Sequence, residues 1–554
     1  MATHQNNIIY PYVPLHLQIG VTGHRDLVFT EQLEKSINDA LTFEIKNLLG
    51  WDEKFNTPLT YSILTPLAEG ADRFVAKQAM KLLNATMEVV LPMTEEEYME
   101  DFTSPESCLE FRNMLEQASG CHRLVKKPLA EFYPEARDHE QREIAYKSVG
   151  QYVVDNCDIL IAILDENRAQ SNAGTSATVQ DARDKNKPLI IISAKDASTI
   201  EVENGNGDIQ SLLNKFELFN AYKIDPAELD SEIKTQSSYL FSSDEAKRPL
   251  QKNIEYTQKF LLPWFVRADT IALKCQKRYQ RVGLLIYILS PVAVALVALG
   301  ILIHQLSWLF FSLEFLILLF AYAAISLAER SKIHKKWVEC RYLAEHIRCS
   351  LYFTICGIRP ALIKNYEQWH ISHHPDNWAA EVFNEIIKNL QGIPVYKQAE
   401  TKTGVDYIKE YWIQDQEKYH IKKIKLVAKK GWQLKIVGEI IFFMALVSTF
   451  IHILLVLTGF EEKAFWTTDL LVFIAISFPA LTASLSAIRI HREYSRIEQQ
   501  SIRMVRSLKT LKKECNNIKT MHELSKFMED VQTRMLRDVE NWHHLMDMII
   551  ITSL

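Results

Sequence analysis

The sequence predicts two structural classes in one chain: an α/β doubly wound parallel sheet, followed by an all-α membrane domain with four transmembrane helices in two hairpins. Three observations support this prediction. Short apolar runs alternate with helix-like segments between about His16 and Ser193. Two long apolar stretches follow after residue 280, and lysines and arginines flank each of them. Each stretch is long enough for two crossings of a ~30 Å hydrocarbon core, at roughly 20 residues per helix.

Composition narrows the class of protein. The chain has 554 residues, enough for several domains, and its net charge of −5 is too small to indicate nucleic-acid binding. Hydrophobic residues make up 48% of the chain, an average typical of soluble proteins, so the apolar material must be concentrated in few segments. The eight cysteines show no paired or metal-like spacing, which favours a reducing compartment. The N-terminal residues lack the basic and apolar blocks of a signal peptide.

Five apolar runs predict the strands of the sheet. In chain order they are LHLQIGVTG, LTYSILTPLA, MEVVLPM, CDILIAILDE and PLIIISA. Helical segments are expected after the first strand to about Leu49, after the second strand to Asn84, and from Thr175 to Lys185 before the fifth. Short buried strands separated by helices form parallel sheets with right-handed crossovers and helices on both faces.

The carboxyl ends of these strands predict a ligand-binding crevice, because ligands of open α/β sheets bind there. Glycines let backbone N–H groups approach an anion, and helix N-termini favour phosphate. Arginines can pair phosphate oxygens, and carboxylates suit ribose hydroxyls. Each residue alone is commonly a turn or a cap, but four strand ends meeting at one crevice favour a site. The predicted ligand-binding residues are Thr22, Gly23, His24, Arg25, Glu69, Gly70, Ala71, Asp72, Arg73, Asp165, Ala173, Gly174 and Thr175.

Several of these segments together resemble a known family. IGVTGHRDL, LTPLAEGADRFVA, VVLPMTEEEYMEDF, YVVDNCDILIAILDE and AGTSATVQDAR are similar to the SLOG domain, a Rossmann-like module related to the LOG and DprA families. The resemblance covers roughly the first two hundred residues and implies binding of a nucleotide or nucleotide-derived signal at the crevice. LOG-type hydrolases carry a PGGxGTxxE motif with a catalytic glutamate, and Thr178 stands at that position here. Binding without hydrolysis is therefore expected, with no catalytic residue, metal or resident cofactor.

The first apolar stretch, Val282 to Ala328, predicts a transmembrane hairpin with spans at about 282–303 and 307–328. Basic residues flank both outer ends and the break between the spans has none, so both ends are expected in the cytoplasm. A buried hairpin in a large soluble core is the alternative, which the length and the charge asymmetry disfavour. The polar residues 201–270 before it are predicted to be an insertion or linker with a connecting helix.

A second hairpin repeats this pattern, with spans at about 436–458 and 467–487 and basic outer flanks. The unit of basic helix, hairpin and heptad-patterned helix therefore occurs twice. The predicted domains are residues 1–200 for the sheet, 271–356 for the first two-span unit, 357–404 for a linker and 405–554 for the second unit. The linker holds His370, His373 and His374. Solvated histidines are favoured there over a metal site, because no acidic or cysteine partner shares their spacing.

The helices that follow the hairpins carry residues at a strict 4-3 spacing, from Ile333 to Leu351 and from Ile490 to Ile518. A sustained 3.5-residue period is typical of helices that supercoil with partners. A single amphipathic helix packed on its own domain is the alternative. With contacts between sheet domains, the cytoplasmic heptad helices predict a homo-oligomer, a tetramer or larger.

The membrane segments also resemble a family. DYIKEYWIQDQEKYH, at residues 406–420, with the hairpin and helix after it, resembles the SLATT family of two-span effector modules. The first unit, with ECRYLAEHIRCSLYF, resembles it less closely. SLATT modules occur beside SLOG or nucleotide-synthesising domains in bacterial defence systems. The resemblance implies a multi-pass protein of the bacterial inner membrane, with both termini cytoplasmic, that disrupts the bilayer when a partner enzyme makes a signal during phage infection.

Ionisable residues within the spans are candidates for intramembrane function, because charges are costly in lipid. They are Glu314, Glu439 and His452, with Asp469 near an outer end. Glu439 can pair with Lys435 at the cytoplasmic end of its span. No span is polar enough to line a pore alone, so a pore would need several subunits. Small residues of the fourth span, among them Ser484, suit close helix packing.

Together these features predict an effector of anti-phage immunity. It would bind a second messenger of the cyclic nucleotide or ADP-ribose type, oligomerise or open, and permeabilise the inner membrane, causing abortive infection. Two alternatives remain open. One is a membrane-anchored nucleotide or NAD hydrolase. The other is a transporter or scaffold whose N-terminal domain only assembles.

Overall fold

The computed structural model describes residues 12–133, 138–165, 174–204, 208–240, 249–363, 378–390, 401–458 and 465–549. The chain folds as two compact units, Met1–Lys223 and Ile224–Leu554.

The first unit is built on a sheet of seven strands. They are β1 (Leu15–Gly23), β2 (Leu59–Thr65), β3 (Thr86–Leu91), β4 (Gly120–Arg123), β5 (Ile159–Leu164), β6 (Leu189–Ser193) and β7 (Ile200–Glu203). They lie side by side in the order β4-β3-β2-β1-β5-β6-β7. Neighbouring strands are parallel except for the antiparallel pair β6 and β7. The predicted α/β class is confirmed.

Helices connect these strands. They are α1 (Glu31–Asp39), α2 (Ile45–Leu49), α3 (Ala71–Leu83), α4 (Glu95–Met99), α5 (Pro105–Gln117), α6 (Leu129–Phe132), α7 (Asp138–Asn156), α8 (Thr175–Asp184) and α9 (Asp208–Asn220). A π-helical stretch, Ala40–Glu44, joins α1 to α2. Local chemistry sets several helix starts: the Thr30 hydroxyl accepts a hydrogen bond from the Leu33 N–H at 3.1 Å, and Ser104 precedes a proline at the start of α5.

Two strands and the end of the first unit differ from the sequence prediction. β4 and β7 were not predicted, because each has only four residues and neither carries an apolar run. The predicted boundary at residue 200 falls within the first unit, which continues to Lys223. The reason is that α9 belongs to it: the Asn220 side chain bonds both backbone groups of Val13, at 3.0 and 2.9 Å.

The second unit is helical. Its α-helices are α10 (Pro226–Leu240), α11 (Gln251–Phe260), α12 (Leu262–Leu302), α13 (Ser307–Arg330), α14 (Ile333–Ile355), α15 (Trp378–Lys388), α16 (Thr401–Tyr407), α17 (Asp415–Leu457), α18 (Phe465–His491), α19 (Tyr494–Glu514) and α20 (Met521–Ile549). Within the described residues, four helices are long and apolar enough to cross a membrane, and they contain α12, α13, α17 and α18. These are the four predicted spans. The predicted boundary at residue 270 falls inside α12, which runs without interruption from the basic flank into the first span.

The four apolar helices pack in the order α13, α12, α18, α17. The two hairpins meet where α18 packs on α12, and one hydrogen bond there has a clear cause. Pro291 has no N–H, so the carbonyl of Tyr287, four residues earlier, lacks its helical donor. The Ser484 hydroxyl of α18 donates to that carbonyl instead. This confirms a packing role for Ser484, and it satisfies a backbone group that lipid cannot.

The two-fold internal repeat is visible in the backbone. Lys332 separates α13 from α14 and has φ of 48°, and Glu493 separates α18 from α19 with φ of 52°. Each repeat thus leaves its hairpin through a single left-handed residue, a conformation that is uncommon for residues other than glycine.

The heptad-patterned helices are covered by their own chain. In α14 the spaced residues are buried, but so are most of the residues between them, because α11, α12, α15 and α20 surround this helix. In α19 one face is buried, with Met504, Leu508 and Leu511. The predicted heptad from Ile490 is broken, since Ile490 lies on α18 before the left-handed Glu493 and is exposed. The alternative of amphipathic helices packed on their own domain accounts for both.

Candidate functional site

A cavity of about 930 Å³ opens at the carboxyl ends of β1 and β2. The chain adds strands on one side of β1 up to β4 and then crosses to the other side with β5. Open α/β sheets bind ligands at such a reversal, outside the strand ends. The cavity therefore occupies the position that the topology favours for a ligand.

Seven of the predicted ligand-binding residues line this cavity: Thr22, Gly23, His24, Arg25, Asp72, Gly174 and Thr175. Five others, Glu69, Gly70, Ala71, Arg73 and Asp165, are not among its lining residues. Ala173 lies outside the residues that the structure describes.

Gly70 and Gly23 hold two loops of the crevice together. Gly70 has φ of 82°, and a Cβ added there would lie 2.2 Å from the Arg25 carbonyl oxygen and 2.6 Å from that of His24. A Cβ on Gly23 would lie 2.3 Å from the Cβ of Ala71. The Ala71 N–H donates to the His24 carbonyl at 3.3 Å. The absent side chains of Gly70 and Gly23 therefore allow the loops after β1 and β2 to pack on each other, where the sequence had predicted an anion contact.

Arg73 and Glu69 bind other parts of the protein. The Arg73 guanidinium is buried and donates to the Leu67 carbonyl at 3.0 Å, to the Ser107 hydroxyl at 2.8 Å and to the Glu110 carboxylate at 2.9 Å. Its centre also lies 4.5 Å from the centroid of the Phe102 ring. Glu69 accepts from the Thr103 N–H and hydroxyl, both at 2.9 Å. Both side chains anchor the segment around the start of α5, and neither is placed to bind a ligand in the cavity.

Asp72 and Tyr98 bring unsatisfied polar atoms to the cavity wall. Asp72 Oδ1 and the Tyr98 hydroxyl are buried without a hydrogen-bond partner among the described residues. Burial raises the pKa of Asp72 to about 7, opposed by a hydrogen bond from the Ala68 backbone and by the charges of Arg25 and Arg73. A buried polar atom without a partner is costly, so both atoms suit hydrogen bonds to a bound molecule.

Helix α7 forms the facing wall, and the sequence reasoning did not find it. Four of its residues that bear polar groups line the cavity: His139, Arg142, Glu143 and Tyr146. Tyr98 and Asp101 complete the wall from the segment after β3. That segment, VVLPMTEEEYMEDF, contributed to the family resemblance and could have indicated these two residues. The α7 residues follow no apolar strand, so strand-end reasoning gave no signal for them.

Asp101 organises the polar groups of this wall. Arg142 donates to Asp101 at 2.8 Å and to Glu100 at 2.8 Å, and the Tyr146 hydroxyl also donates to Asp101. The guanidinium of Arg25 lies over the Tyr146 ring, 5.1 Å from its centroid. Arg25 forms no direct ion pair within the described part of the chain. A side-chain hydrogen bond with Tyr146 also holds the guanidinium there, and its remaining N–H groups can donate to an anion.

The third side of the cavity is the start of α8. Gly174 is its N-cap, and Thr175 and Ser176 begin its first turn. First-turn N–H groups have no partner within a helix and attract anions. Thr178, one turn into α8, lines the cavity and donates to the Gly174 carbonyl at 3.3 Å. The position therefore carries a neutral hydroxyl that turns back on its own helix.

His24 links β1 to β5 beside this helix. Its Nε2 accepts a hydrogen bond from the Asp165 N–H at 3.0 Å, so the proton of the neutral ring is on Nδ1. Asp165 therefore contributes its backbone N–H to this contact.

The charges around the cavity are mixed. Arg25 and Arg142 face four carboxyl groups, which belong to Asp26, Asp72, Asp101 and Glu143. A ligand with many negative charges would be repelled there. The arrangement suits a ligand with few phosphate charges, held by Arg25 and α8, and with hydroxyl or amino groups toward the carboxyls.

The predicted intramembrane residues are dispersed. Glu439 pairs with Lys435 at 3.7 Å, as the sequence suggested. His452 Nδ1 is buried without a partner among the described residues. Glu314 lies half-buried on α13 and Asp469 half-buried on α18. The structure brings none of them to a common polar surface within one chain.

No family model matches this chain, and a comparison with characterised proteins likewise finds no match.

Proposed function

We propose that this chain is a membrane effector that binds a nucleotide-derived ligand in the cavity at the β1–β5 reversal and responds by permeabilising the bilayer. The observation that carries the proposal is this cavity, with Arg25 and the N-terminus of α8 on its wall, in a chain that also has four helices long and apolar enough to cross a membrane.

The ligand class follows from the wall chemistry. Arg25 and the first turn of α8 suit one or two phosphate groups. Asp72 Oδ1 and the Tyr98 hydroxyl, which have no partner among the described residues, suit sugar hydroxyls or the edge of a base. A cavity of about 930 Å³ accommodates a molecule of mono- or dinucleotide size. These features support a cyclic nucleotide or an ADP-ribose-type molecule.

The response requires more than one copy of the chain. The four spans pack as a row that begins with α13, and every residue of α13 is at least partly exposed. A row of helices does not enclose a pore, so we propose a homo-oligomer of four or more subunits that opens on ligand binding. Changing the ratio of open to closed oligomer from 1:99 to 99:1 requires that ligands bind the open form more tightly by about 5.5 kcal/mol in total. Several bound ligands can share this difference in affinity.

The biological setting rests on the sequence resemblance to SLOG and SLATT modules. On that basis we propose a location in the bacterial inner membrane, a signal made by a partner enzyme during phage infection, and abortive infection as the outcome.

The decisive experiment measures potassium leakage from cells expressing wild type or Arg25→Ala, with and without phage infection. We expect leakage only in infected wild-type cells. Arg112→Ala, an exposed arginine of α5 remote from the cavity wall, is the matched control and should behave as wild type. Leakage from infected Arg25→Ala cells at the wild-type level would refute the proposal.

A membrane-anchored nucleotide or NAD hydrolase is the second candidate, and one observation favours it. Asp72 is buried on the cavity wall with a pKa of about 7, which is the range of a general acid or base. Purified full-length protein would then turn over NAD or ADP-ribose, and Asp72→Asn would abolish this turnover. Binding of these molecules without turnover would exclude this candidate.

A further inference from the structure

A second cavity, of about 570 Å³, lies within the helical unit. Its walls come from both repeats: α12 and α14 of the first, and α17, α18 and α19 of the second, with α20 closing one side. Tyr287 and His491 mark the end of the cavity nearest the spans. The cavity therefore lies where the apolar helices change into their basic flanks.

Its charges are unbalanced. Four cationic side chains line it, Arg341, Arg348, Lys423 and Arg492, against the two carboxylates Glu345 and Glu493.

The two carboxylates are already paired. Arg341 and Arg348 both bind Glu345, whose side chain is 6% exposed. Glu493 lies 3.5 Å from Arg496. Arg341 also pairs with Asp269 at 2.8 Å, so Arg341 and Arg348 both have carboxylate partners.

Lys423 and Arg492 are the lining cations with the weakest carboxylate contacts, since the charge of Lys423 acts on Glu345 without a direct ion pair. Lys423 lies over the Tyr419 ring, 5.1 Å from its centroid, and Arg492 donates to the neutral amide of Gln280. In the described part of the chain neither forms a direct ion pair. Arg348 Nε is also buried there without a hydrogen-bond partner. Cations that outnumber the carboxylates of a cavity repel one another, and a bound anion would relieve that repulsion.

The remaining walls are apolar. Trp337, Tyr279, Ile490, Met504 and Val539 supply aromatic and aliphatic surface beside the cations. A cavity with cations and an apolar wall suits an amphiphilic ligand, in which a phosphate group is attached to a less polar body.

We propose that this cavity binds a phosphate ester through Lys423, Arg492 and Arg348. The ester is either the headgroup of an anionic lipid or a soluble phosphorylated molecule. Because its cations come from both repeats, the bound phosphate joins the basic ends of the two hairpins. The site is separate from the sheet unit, and its occupancy does not depend on the function proposed above.

The test uses full-length protein and follows its thermal unfolding. One arm compares vesicles of phosphatidylcholine alone with vesicles that also contain phosphatidylglycerol. The other arm adds inorganic pyrophosphate to protein in an uncharged detergent. A stabilising shift in the first arm alone identifies a lipid headgroup, and a shift in the second identifies a soluble phosphate. No shift in either arm would overturn the proposal.

Paired substitutions test whether the anion that stabilises the protein binds in this cavity. Lys423→Gln with Arg492→Gln should weaken the anion dependence roughly 10- to 100-fold, the range for lost hydrogen bonds to charged groups. Lys425→Gln with Arg503→Gln makes the same change in charge at exposed positions outside the cavity and should respond as wild type.

A further variant tests the same site without removing a cation, in case the double substitution prevents folding. Gln280→Glu places a carboxylate beside Arg492 without removing a cation, and it too should weaken the response. An unchanged response in both cavity variants would show that the anion binds elsewhere.

Discussion

Among single residues, Arg25 and Arg73 were predicted to have the same role, but they make different contacts in the structure. Both arginines follow a strand end, and the same phosphate-binding role was predicted for both. In the structure Arg25 lines the cavity over Tyr146, while Arg73 is buried in contacts with Leu67, Ser107 and Glu110. Replacing Arg25 should therefore impair ligand binding, whereas replacing Arg73 should lower stability.

Arg73→Met is expected to lower the free energy of unfolding of the sheet unit by about 3 kcal/mol, because it leaves the buried partners of a charged group unpaired. Hydrogen exchange of β2 and β3 in the solubilised full-length protein measures this locally. Arg112→Met is the control, since Arg112 is exposed on α5. Unchanged protection in Arg73→Met would show that the network contributes little.

Asp72 should make stability depend on pH. Burial raises the pKa of Asp72 from its ordinary value of ~3.9 to about 7 in the folded chain. The folded state then holds the proton more tightly than the unfolded state. The free energy of unfolding should fall as pH rises from about 4 to about 7, by at most about 4 kcal/mol, and level off above.

Asp72→Asn removes this titration, so the unfolding temperature of the variant should exceed that of wild type increasingly toward pH 7. Thermal unfolding of solubilised protein across this range measures the difference. Asp52→Asn, at an exposed carboxylate, should follow wild type. A constant difference between Asp72→Asn and wild type at every pH would contradict the assignment.

At the scale of elements, the contact between α12 and α18 joins the two hairpins. It depends on Ser484, which donates to the Tyr287 carbonyl that Pro291 leaves without a helical donor. The serine of α18 thus supplies the hydrogen bond that the proline of α12 removes.

Ser484→Ala is expected to weaken the packing of the hairpins by roughly 0.6 to 2 kcal/mol, the range for hydrogen bonds between membrane helices. Unfolding in detergent measures the loss. Ser486→Ala, at an exposed position two residues along, is the control and should have little effect.

A double-mutant cycle tests the cause. In Pro291→Ala the backbone N–H of residue 291 can satisfy the Tyr287 carbonyl, so Ser484→Ala should cost less in that background than in wild type. Equal costs in both backgrounds would show that the serine hydroxyl serves only to fill space.

For the whole molecule, the membrane topology stays a prediction from the charges that flank the four apolar helices. The basic residues flank the outer ends of both hairpins, so both termini are expected in the cytoplasm and both hairpin tips outside. The same chain then presents its sheet unit, and the cavity in it, to cytoplasmic ligands.

Cysteine labelling in intact cells measures this topology. His304→Cys, between α12 and α13, and Thr458→Cys, after α17, should react with a membrane-impermeant maleimide. Ser331→Cys, between α13 and α14, should react only after the membrane is opened. Wild type provides the background from its eight native cysteines. Labelling of Ser331→Cys in intact cells would reverse the assignment.

Local sequence patterns predict the helices and strands that depend mainly on interactions between residues close together in the chain. Roughly 20 apolar residues in a row favour a membrane helix wherever they occur, and short apolar runs between helices favour buried strands. All four spans and five of the seven strands follow from such patterns. The same local reasoning placed seven cavity residues at their strand ends, because the carboxyl ends of parallel strands meet at one edge.

Which of those side chains face the cavity depends on contacts between residues that are distant in the sequence. Arg73 contacts α5, whereas its neighbour Asp72 faces the cavity, because adjacent residues of a helix such as α3 point in different directions. Glu69, before α3, bonds Thr103 instead. The opposite wall comes from α7, whose Tyr146 is far from Arg25 in sequence. The second cavity likewise needs cations from two repeats. Such sites depend on contacts between distant residues, and no local pattern encodes them.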